Sequence, residues 1–263
     1  MELSLALAQI KTEKEKDKNL QKIKSIIKES KAEVIIFPEF SDFYVSDLKP
    51  EEVYKNAETE DSEFLNEIFY YASENRKWVI LGLYEKSEDF PKTYSTVYVI
   101  EPEGKIRLKY RKTHLFKALG YDESVYLKQS DNTLSVFEIN GIKAGLMICY
   151  EIRFPEIARS LALKGAEALI VPSAWLRGYN KEEQWITLAK ARAMENTAYV
   201  LTSNQIGNIY TGITLSVDPA GVIKARASEI EEVIEVKISK DRVNKVRSAL
   251  PLLEQRRPEL YKL

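Results

Sequence analysis

Short apolar segments of strand length alternate with amphipathic helical segments along most of the 263-residue chain. Residues 34–37 form a continuous apolar run, typical of a strand that is buried on both faces. Residues 17–29 instead place their apolar side chains on one helical face. This alternation predicts about a dozen strands and four helices, and such elements must form layers in which helices cover a sheet or a pair of sheets.

The boundaries of these elements follow from the apolar periodicity and from the turn residues between them. The predicted strands are 3–9, 34–37, 78–84, 94–100, 106–110, 136–139, 143–148, 168–171, 198–204, 213–217, 222–225 and 233–236, and the predicted helices are 17–29, 62–75, 154–164 and 182–196. The turns at 101–104 and at Asn140-Gly141 predict hairpins. Because no linker, repeat or low-complexity block interrupts the pattern, residues 1–263 are expected to form one domain, with a charged C-terminal tail from about residue 240.

The composition favours a soluble globular protein and provides no signal for a nucleic-acid or membrane partner. A formal net charge of −1 and a pI near 6.1 provide no overall field for nucleic acid or an anionic membrane. The longest apolar runs are too short to span a bilayer, and the N-terminus enters a strand pattern without a signal sequence. With a single cysteine, these features predict a cytoplasmic protein. The excess of Lys and Glu, with only five Cys, Met and His residues in total, predicts a thermophilic source.

Cys149 is the only cysteine, and it stands between the predicted strand 143–148 and the predicted helix 154–164. A single cysteine excludes an internal disulfide and is too few for a thiolate metal site. Two interpretations remain, an inert thiol packed in the core or a nucleophile that the strand-to-helix corner presents to a cleft.

Two further polar residues also follow predicted strands. Glu39 comes after the strand 34–37, and Lys112 comes after the strand 106–110. In α/β sheets, sites form beyond the carboxyl ends of strands, so these side chains and Cys149 could converge. A carboxylate can accept the thiol proton, and an ammonium can stabilise an oxyanion. Each residue taken alone is equally compatible with a surface loop or an ion pair.

The residues around these three positions resemble the motifs of the nitrilase superfamily of carbon–nitrogen hydrolases over nearly the whole chain. The motifs are Phe-Pro-Glu-Phe at 37–40, Tyr-Arg-Lys-Thr-His-Leu-Phe at 110–116 and Ile-Cys-Tyr-Glu-Ile-Arg-Phe-Pro-Glu at 148–156, with flanking matches at 191–196, 203–205 and 217–221. Their order and their spacing, 73 and then 37 residues between the three candidate catalytic positions, also fit the family.

The resemblance implies a fold and a set of site residues. The fold is an α/β four-layer αββα sandwich of two mixed sheets covered by helices, and the triad is Glu39, Lys112 and Cys149. The family carries a second glutamate before the cysteine motif, which matches Glu123, with Asp122 as the alternative. The family's Pro-Gly turn downstream is replaced here by Gln129-Ser130, so this part of the match is imperfect.

The resemblance also implies a reaction. The residues after Cys149 resemble the omega-amidase and deaminated-glutathione-amidase branch, which favours a small linear amide as substrate, a thioester intermediate and no cofactor. The backbone N–H of Tyr150 would help Lys112 to bind the oxyanion. Two alternatives stay open, an N-carbamoyl-amine amidohydrolase and a non-catalytic binding member of the fold. Family members commonly form homodimers or larger homo-oligomers, and the same is expected here.

Three other residues have a functional and a structural interpretation. His114, the only histidine, could form a dyad with Cys149 or belong to a structural His-Leu-Phe stretch. Arg153 could bind a substrate carboxylate or anchor the following helix through an ion pair. Trp175 could line the substrate pocket or pack in the core. No cluster has metal-ligand spacing, and no glycine-rich phosphate loop is present in the sequence.

Overall fold

Two six-stranded mixed sheets pack face to face in this protein, for which a computed structural model describes residues 2–45 and 49–261. The strands are β1 (Glu2–Gln9), β2 (Val34–Ile36), β3 (Trp78–Lys86), β4 (Thr93–Ile100), β5 (Ile106–Arg111), β6 (Lys117–Ala118), β7 (Tyr121–Asp122), β8 (Val136–Ile139), β9 (Ile142–Leu146), β10 (Ala168–Ser173), β11 (Tyr199–Asn204), β12 (Ile206–Gly207), β13 (Tyr210–Thr211), β14 (Leu215–Val217), β15 (Ile223–Arg226) and β16 (Glu232–Ser239). The α-helices are α1 (Lys16–Glu29), α2 (Pro50–Asn56), α3 (Glu63–Asn75), α4 (Pro155–Leu163), α5 (Lys181–Asn196) and α6 (Lys240–Ala249). None of the helices in the described ranges is long and apolar enough to cross a membrane.

The two sheets have the same plan. The first has the strand order β16-β1-β2-β3-β4-β5, and the second has the order β15-β14-β11-β10-β9-β8. In each, three central strands run parallel, β1 to β3 in the first and β9 to β11 in the second, and the outer strands are antiparallel. Parallel strands are buried on both faces, which explains why Val34–Ile36 reads as an unbroken apolar run.

Strand β1 shows how the layers arise from the sequence. Leu3, Leu5 and Leu7 point into the core between the two sheets, whereas Ala6 and Ala8 pack with residues of α1 and α3 on the outer face. Alternate residues of a strand point to opposite faces, so each sheet needs an apolar partner on both sides. Helices α4 and α5 pack against the second sheet in the same way. The result is the predicted four-layer αββα sandwich.

The sequence predicted most of these elements, with some errors. Both hairpins are confirmed, and Asn140 and Gly141 have φ values of +44° and +83°, as a tight turn requires. The predicted strand 213–217 is only Leu215–Val217, because Ile213 has φ of +61° and cannot continue an extended strand.

Two helices and two short hairpins were missed because their local signals are weak. Helix α6 lies in the segment interpreted as a tail, and only Val243 and Val246 of this polar helix are buried. Its start is fixed by Ser239, whose hydroxyl accepts a hydrogen bond from the backbone N–H of Arg242. The others are helix α2 and the hairpins β6–β7 and β12–β13. The strands of these hairpins have only two residues each, and the helix has seven, so they are too short for periodicity to reveal.

Candidate active site

The backbone that carries Glu39 is held tightly behind the end of β2. A Cβ at Gly82 of β3 would lie 2.7 Å from both the Cα of Glu39 and the carbonyl oxygen of Pro38, so only glycine fits there. The Gln205 side-chain amide donates to the carbonyl oxygens of Glu39 (2.7 Å) and Phe40 (2.9 Å). These contacts fix the carboxylate with little freedom.

Cys149 lies at a sharp corner in the second sheet. Strand β9 ends at Leu146, and Cys149 begins a 3₁₀ helix, Cys149–Arg153, with φ of +46°. Such a conformation costs a residue with a side chain about 1–3 kcal/mol and persists only where surrounding contacts impose it. At this corner Cys149 lines a cleft.

Glu151 supplies the contacts that impose this corner. Its buried carboxylate accepts hydrogen bonds from the backbone N–H of Ile148 (2.7 Å), just before the cysteine. It also accepts from the backbone N–H of Thr113 (2.6 Å), from the Thr113 hydroxyl (2.7 Å) and from the Tyr110 hydroxyl (3.0 Å). One fully buried side chain thus joins the cysteine corner to the loop that follows Lys112.

Lys112 lies between two carboxylates. Its Nζ is 3.0 Å from Oε1 of Glu39 and 2.9 Å from Oε1 of Glu123, and the lysine is fully buried. Its backbone N–H donates to the carbonyl oxygen of Ser95 on β4, which places the side chain beyond the end of β5. Glu39, Lys112 and Glu123 therefore form one buried cluster of alternating charge.

The Glu39 carboxylate has further neutral donors. The Ser95 hydroxyl donates to Oε1 (2.8 Å), and the backbone N–H of Ala174, just beyond β10, donates to Oε2 (3.2 Å). The ends of β2 and β10, one from each sheet, are joined through this side chain. Hydrogen bonds of this kind keep a buried carboxylate in a single orientation.

The structure places Glu123, and not Asp122, against Lys112. Besides the lysine, the Glu123 carboxylate accepts from the backbone N–H of Phe116 (2.6 Å). The Asp122 side chain is 29% exposed, accepts from the backbone N–H of Ser124 and pairs with Lys117 (2.9 Å). Asp122 therefore caps the short 3₁₀ helix Glu123–Val125 and faces away from the buried cluster.

The electrostatics of the cluster favour a neutral thiol at rest. Burial and the negative charge of Glu39 raise the pKa of the Cys149 thiol well above its ordinary value, although the Lys112 ammonium opposes them. Burial alone would lower the pKa of Lys112, but the charges of Glu123 and Glu39 outweigh it and raise that pKa. Burial and Glu39 also raise the pKa of Glu123 against the opposing effect of Lys112. Any reaction of the sulfur near neutral pH thus needs a base to take its proton.

A cavity of about 30 Å³ is lined in part by Cys149. Its lining is mostly aromatic and apolar, with a few polar groups: Phe40, Phe116, Tyr121, Glu123, Tyr126, Cys149, Tyr150, Ala174, Trp175, Leu176, Lys181 and Tyr210. A larger outer cavity of about 410 Å³ adjoins it and shares Tyr121, Leu176 and Lys181. Convergent polar groups in an apolar cleft are typical of small-molecule sites.

Trp175 and Arg153 lie together at the edge of this cleft. Trp175 lines the inner cavity, and its indole N–H donates to the backbone carbonyl of Lys181 (2.9 Å). The Arg153 guanidinium stacks 4.7 Å from the centroid of a Trp175 ring and donates to the side-chain oxygen of Gln184 (2.7 Å). Arg153 is thus held by a ring and a neutral amide instead of the ion pair that the sequence suggested as one interpretation.

His114 takes part in a different set of contacts. Its Nδ1 lies 2.9 Å from the Thr113 hydroxyl oxygen, and its ring packs 4.1 Å from that of Phe154. These contacts match the structural interpretation of this residue and leave Cys149 without an imidazole contact in the described structure. Within residues 2–45 and 49–261, no group of three or more His, Cys, Asp or Glu side chains is arranged to hold a metal ion.

Two site residues were missed at the level of sequence. Glu151 lies inside the cysteine motif, but nothing in the sequence reveals that it links this segment to the loop after Lys112. Lys181 directly precedes the predicted helix 182–196 in a charged stretch, where a lysine is ordinarily solvated. Only its burial against Phe116 and Trp175 distinguishes it.

Known proteins resemble this chain in sequence and in fold. The deaminated glutathione amidase of Escherichia coli O157:H7 is 37% identical over 203 residues, which cover 77% of this chain and 77% of that protein. The omega-amidase NIT2 of Xenopus tropicalis is 32% identical over 271 residues, 98% of this chain and 96% of that protein. The crystal structure of the C. elegans NitFhit protein matches with a TM-score of 0.93 and 29% identity, over 99% of this chain and 66% of that one. Since the carbon–nitrogen hydrolase model also matches residues 4–248, the chain belongs to the carbon–nitrogen hydrolase family that its motifs predicted.

Proposed function

We propose that this protein is an amidase that hydrolyses a small linear amide to a carboxylic acid and ammonia through a thioester on Cys149. The observation that carries the proposal is the single thiol in a mostly apolar cleft, beside a buried cluster of two carboxylates and one ammonium. The amidases to which the chain is similar support an amide as the substrate.

The first half of the reaction forms the thioester. Glu39 accepts the thiol proton as the sulfur attacks the amide carbon, which is the role that a protonated resting thiol requires. The C–S bond forms, and the carbonyl oxygen becomes an oxyanion. Glu39 then returns the proton to the nitrogen, the C–N bond breaks, and ammonia leaves.

The second half releases the acid. Water attacks the thioester carbon while Glu39 takes one of its protons. The C–S bond then breaks, and Glu39 returns that proton to the sulfur. One carboxylate acts as base and acid in turn, so the net reaction consumes one amide and one water.

The remaining groups stabilise charge and hold geometry. Lys112 and the backbone N–H of Tyr150 bind the oxyanion; Tyr150 lies in the first turn of a helix, where N–H groups have no acceptor within the helix. Glu123 accepts a hydrogen bond from Lys112 and so keeps the ammonium in place as Glu39 changes its protonation state. Trp175 forms part of the pocket wall beside the substrate.

Ammonia release from an amide panel tests the function. The panel contains alpha-ketoglutaramate, glutamine, simple aliphatic amides, N-carbamoyl amino acids and a nitrile, assayed with the wild type and with Cys149→Ala. We expect turnover of short linear amides, a loss of at least about 1,000-fold in the variant, and an acyl adduct on acid-quenched wild type only.

The controls separate catalysis from folding. Cys149→Ala should unfold at the wild-type temperature, because only one buried atom is lost. Wild-type activity in this variant would disprove the mechanism, and turnover confined to carbamoyl compounds would assign the protein to the carbamoyl-amine alternative. Inactivity on the whole panel at several temperatures would support a non-catalytic member.

We further infer a cytoplasmic, homo-oligomeric protein from a thermophilic source. Apolar side chains that remain exposed on α4 and α5 and near the C-terminus, Leu163, Met194 and Leu260, support an assembly. Sedimentation as a monomer would contradict the assembly, and a melting temperature below about 65 °C would contradict the thermophilic source.

A further inference from the structure

The buried carboxylate of Glu151 is surrounded by neutral hydrogen-bond donors. It accepts from the backbone N–H groups of Ile148, Thr113 and His114, and from the hydroxyls of Thr113 and Tyr110. Its negative charge, together with burial, raises the pKa of the Tyr110 hydroxyl. A buried charge is usually paired with an opposite one, so a carboxylate held by neutral donors needs a reason.

The donors flank the two groups that the proposed reaction brings together. Tyr110 and Thr113 lie on either side of Lys112, and Ile148 directly precedes Cys149. Lys112 follows β5, at the edge of the first sheet, whereas Cys149 follows β9 in the second sheet. The carboxylate therefore connects the two sheets at the end where the oxyanion donor and the nucleophile leave them.

Capping of the 3₁₀ helix alone does not require a carboxylate at this position. A hydroxyl or an amide oxygen can accept the single N–H of Ile148. The two oxygens of Glu151 instead serve two segments, since Oε2 lies 2.7 Å from the N of Ile148 and Oε1 lies 2.6 Å from the N of Thr113. Because both oxygens belong to one rigid group, the two segments cannot move independently.

This link acts on a strained residue. Cys149 has φ of +46°, and a residue in such a conformation relaxes when the contacts that impose it weaken. Relaxation would move the sulfur relative to the Nζ of Lys112. The base is anchored separately, because the Glu39 carboxylate is held by the Ser95 hydroxyl and the Ala174 backbone N–H.

We propose that Glu151 is a positioning residue that keeps the sulfur of Cys149 at a fixed distance from the Lys112 ammonium, so that the oxyanion forms within reach of its donor. This proposal rests on the amidase function proposed above. Glu151 does not line the inner cavity, so its removal should affect kcat and leave KM nearly unchanged. Misplacement of a reacting group by about 1 Å can cost about 100-fold in rate.

Two thiol reagents test the proposal without turnover. Acrylamide forms a C–S bond at its terminal carbon while the C=C electrons move onto the carbonyl oxygen, and the resulting enolate is then protonated at carbon. Methyl methanethiosulfonate transfers its methylthio group to the sulfur, sulfinate leaves, and no oxyanion forms on a carbonyl. The quantity measured is the ratio of the two second-order rate constants, acrylamide over thiosulfonate.

The ratio should fall by about tenfold or more in Glu151→Gln, because only the acrylamide reaction depends on the oxyanion donors. Glutamine keeps the shape but turns one acceptor into a donor that faces a backbone N–H. In the amide assay, kcat should fall by about 10–100-fold, with KM within about threefold of the wild type.

Two further variants control for shape and for folding. Glu156→Gln changes an exposed glutamate of the same motif and should leave the ratio within about twofold of the wild type. Tyr110→Phe removes one donor to Glu151 and should lower the ratio in the same direction by a smaller factor, about 2–5-fold. This milder variant carries the test if Glu151→Gln does not fold.

Thermal unfolding separates positioning from a purely structural role. A purely structural role predicts a lower melting temperature with an unchanged reagent ratio below that temperature. An unchanged ratio in every variant of Glu151 and Tyr110 that folds would overturn the inference. If the wild type hydrolyses no amide, the proposed function fails, while the reagent ratio still tests the position of the sulfur.

Discussion

Lys112 and Lys181 are both buried beside the cavity that contains Cys149, but their charges are balanced differently. Lys112 contacts two carboxylates at 2.9 and 3.0 Å, which raise its pKa. Lys181 contacts two aromatic faces, and burial lowers its pKa. The same side chain in one cleft thus has opposite electrostatic surroundings.

This difference has consequences for catalysis and for stability. A lysine neutralised by the protein is held in one place before substrate arrives, which suits a group that must meet a developing oxyanion. A lysine left without an acid instead keeps an uncompensated cost of burial in the folded state. Substitutions at the two positions should therefore have effects of opposite sign on stability.

The largest effect is expected from Lys112→Met. The change removes the oxyanion donor and leaves Glu39 and Glu123 buried without a counter-charge, so activity should fall at least about 1,000-fold. The free energy of unfolding should fall by about 3–5 kcal/mol at pH 7, as measured by denaturant titration.

The pH dependence of the stability lost in Lys112→Met has a definite sign. The pKa of Lys112 is raised in the folded state, so its stabilisation is fully present below the pKa of an unfolded lysine, about 10.4. It is lost as the pH rises through the higher folded-state value. Equal stability of the wild type and the variant at pH 7 would contradict this account of the cluster.

An intermediate effect is expected from Glu123→Gln. Glutamine keeps the shape but removes the charge that holds Lys112, and kcat should fall by about 10–1,000-fold. The pKa of Glu123 is raised, so wild-type activity should decline as the pH falls through it, and glutamine mimics the protonated form. That part of the pH–rate profile should therefore be absent in the variant.

Asp122→Asn is the matched control for this prediction. It changes the neighbouring carboxylate, which lies outside the buried cluster, and should leave kcat within about twofold and the pH profile unchanged. A larger loss in Asp122→Asn than in Glu123→Gln would reverse the assignment of these two positions.

The smallest effect, and the one of opposite sign, is expected for the stability of Lys181→Met. Replacing a buried unpaired charge with an apolar side chain of similar length should leave the free energy of unfolding unchanged or raise it by about 1 kcal/mol at pH 7. Because the folded-state pKa of Lys181 is lowered, this gain should shrink as the pH rises towards the unfolded value. A loss of stability similar to that of Lys112→Met would mean that Lys181 has a structural partner and that the comparison fails.

The predictions from sequence succeeded where the signal is local. The unbroken apolar run of β2 and the Asn140-Gly141 turn each identified an element. Burial on both faces requires consecutive apolar residues, and positive φ favours Asn and Gly, so both features are visible in adjacent residues of the sequence. The motifs around Glu39, Lys112 and Cys149 likewise identified the family. Helix α6 was not predicted because its two buried residues, Val243 and Val246, are too few to give a clear amphipathic pattern.

The sequence by itself determined the layers of this protein, its family and the three residues that follow strands β2, β5 and β9. Only the tertiary structure placed Glu123, and not Asp122, against Lys112, gave Glu151 its link across two loops and left Lys181 without an acid. The physical reason is the distance along the chain over which each kind of interaction acts. Periodicity and turn chemistry act between residues that are close in the chain, whereas burial, ion pairing and pKa depend on groups that only folding brings together.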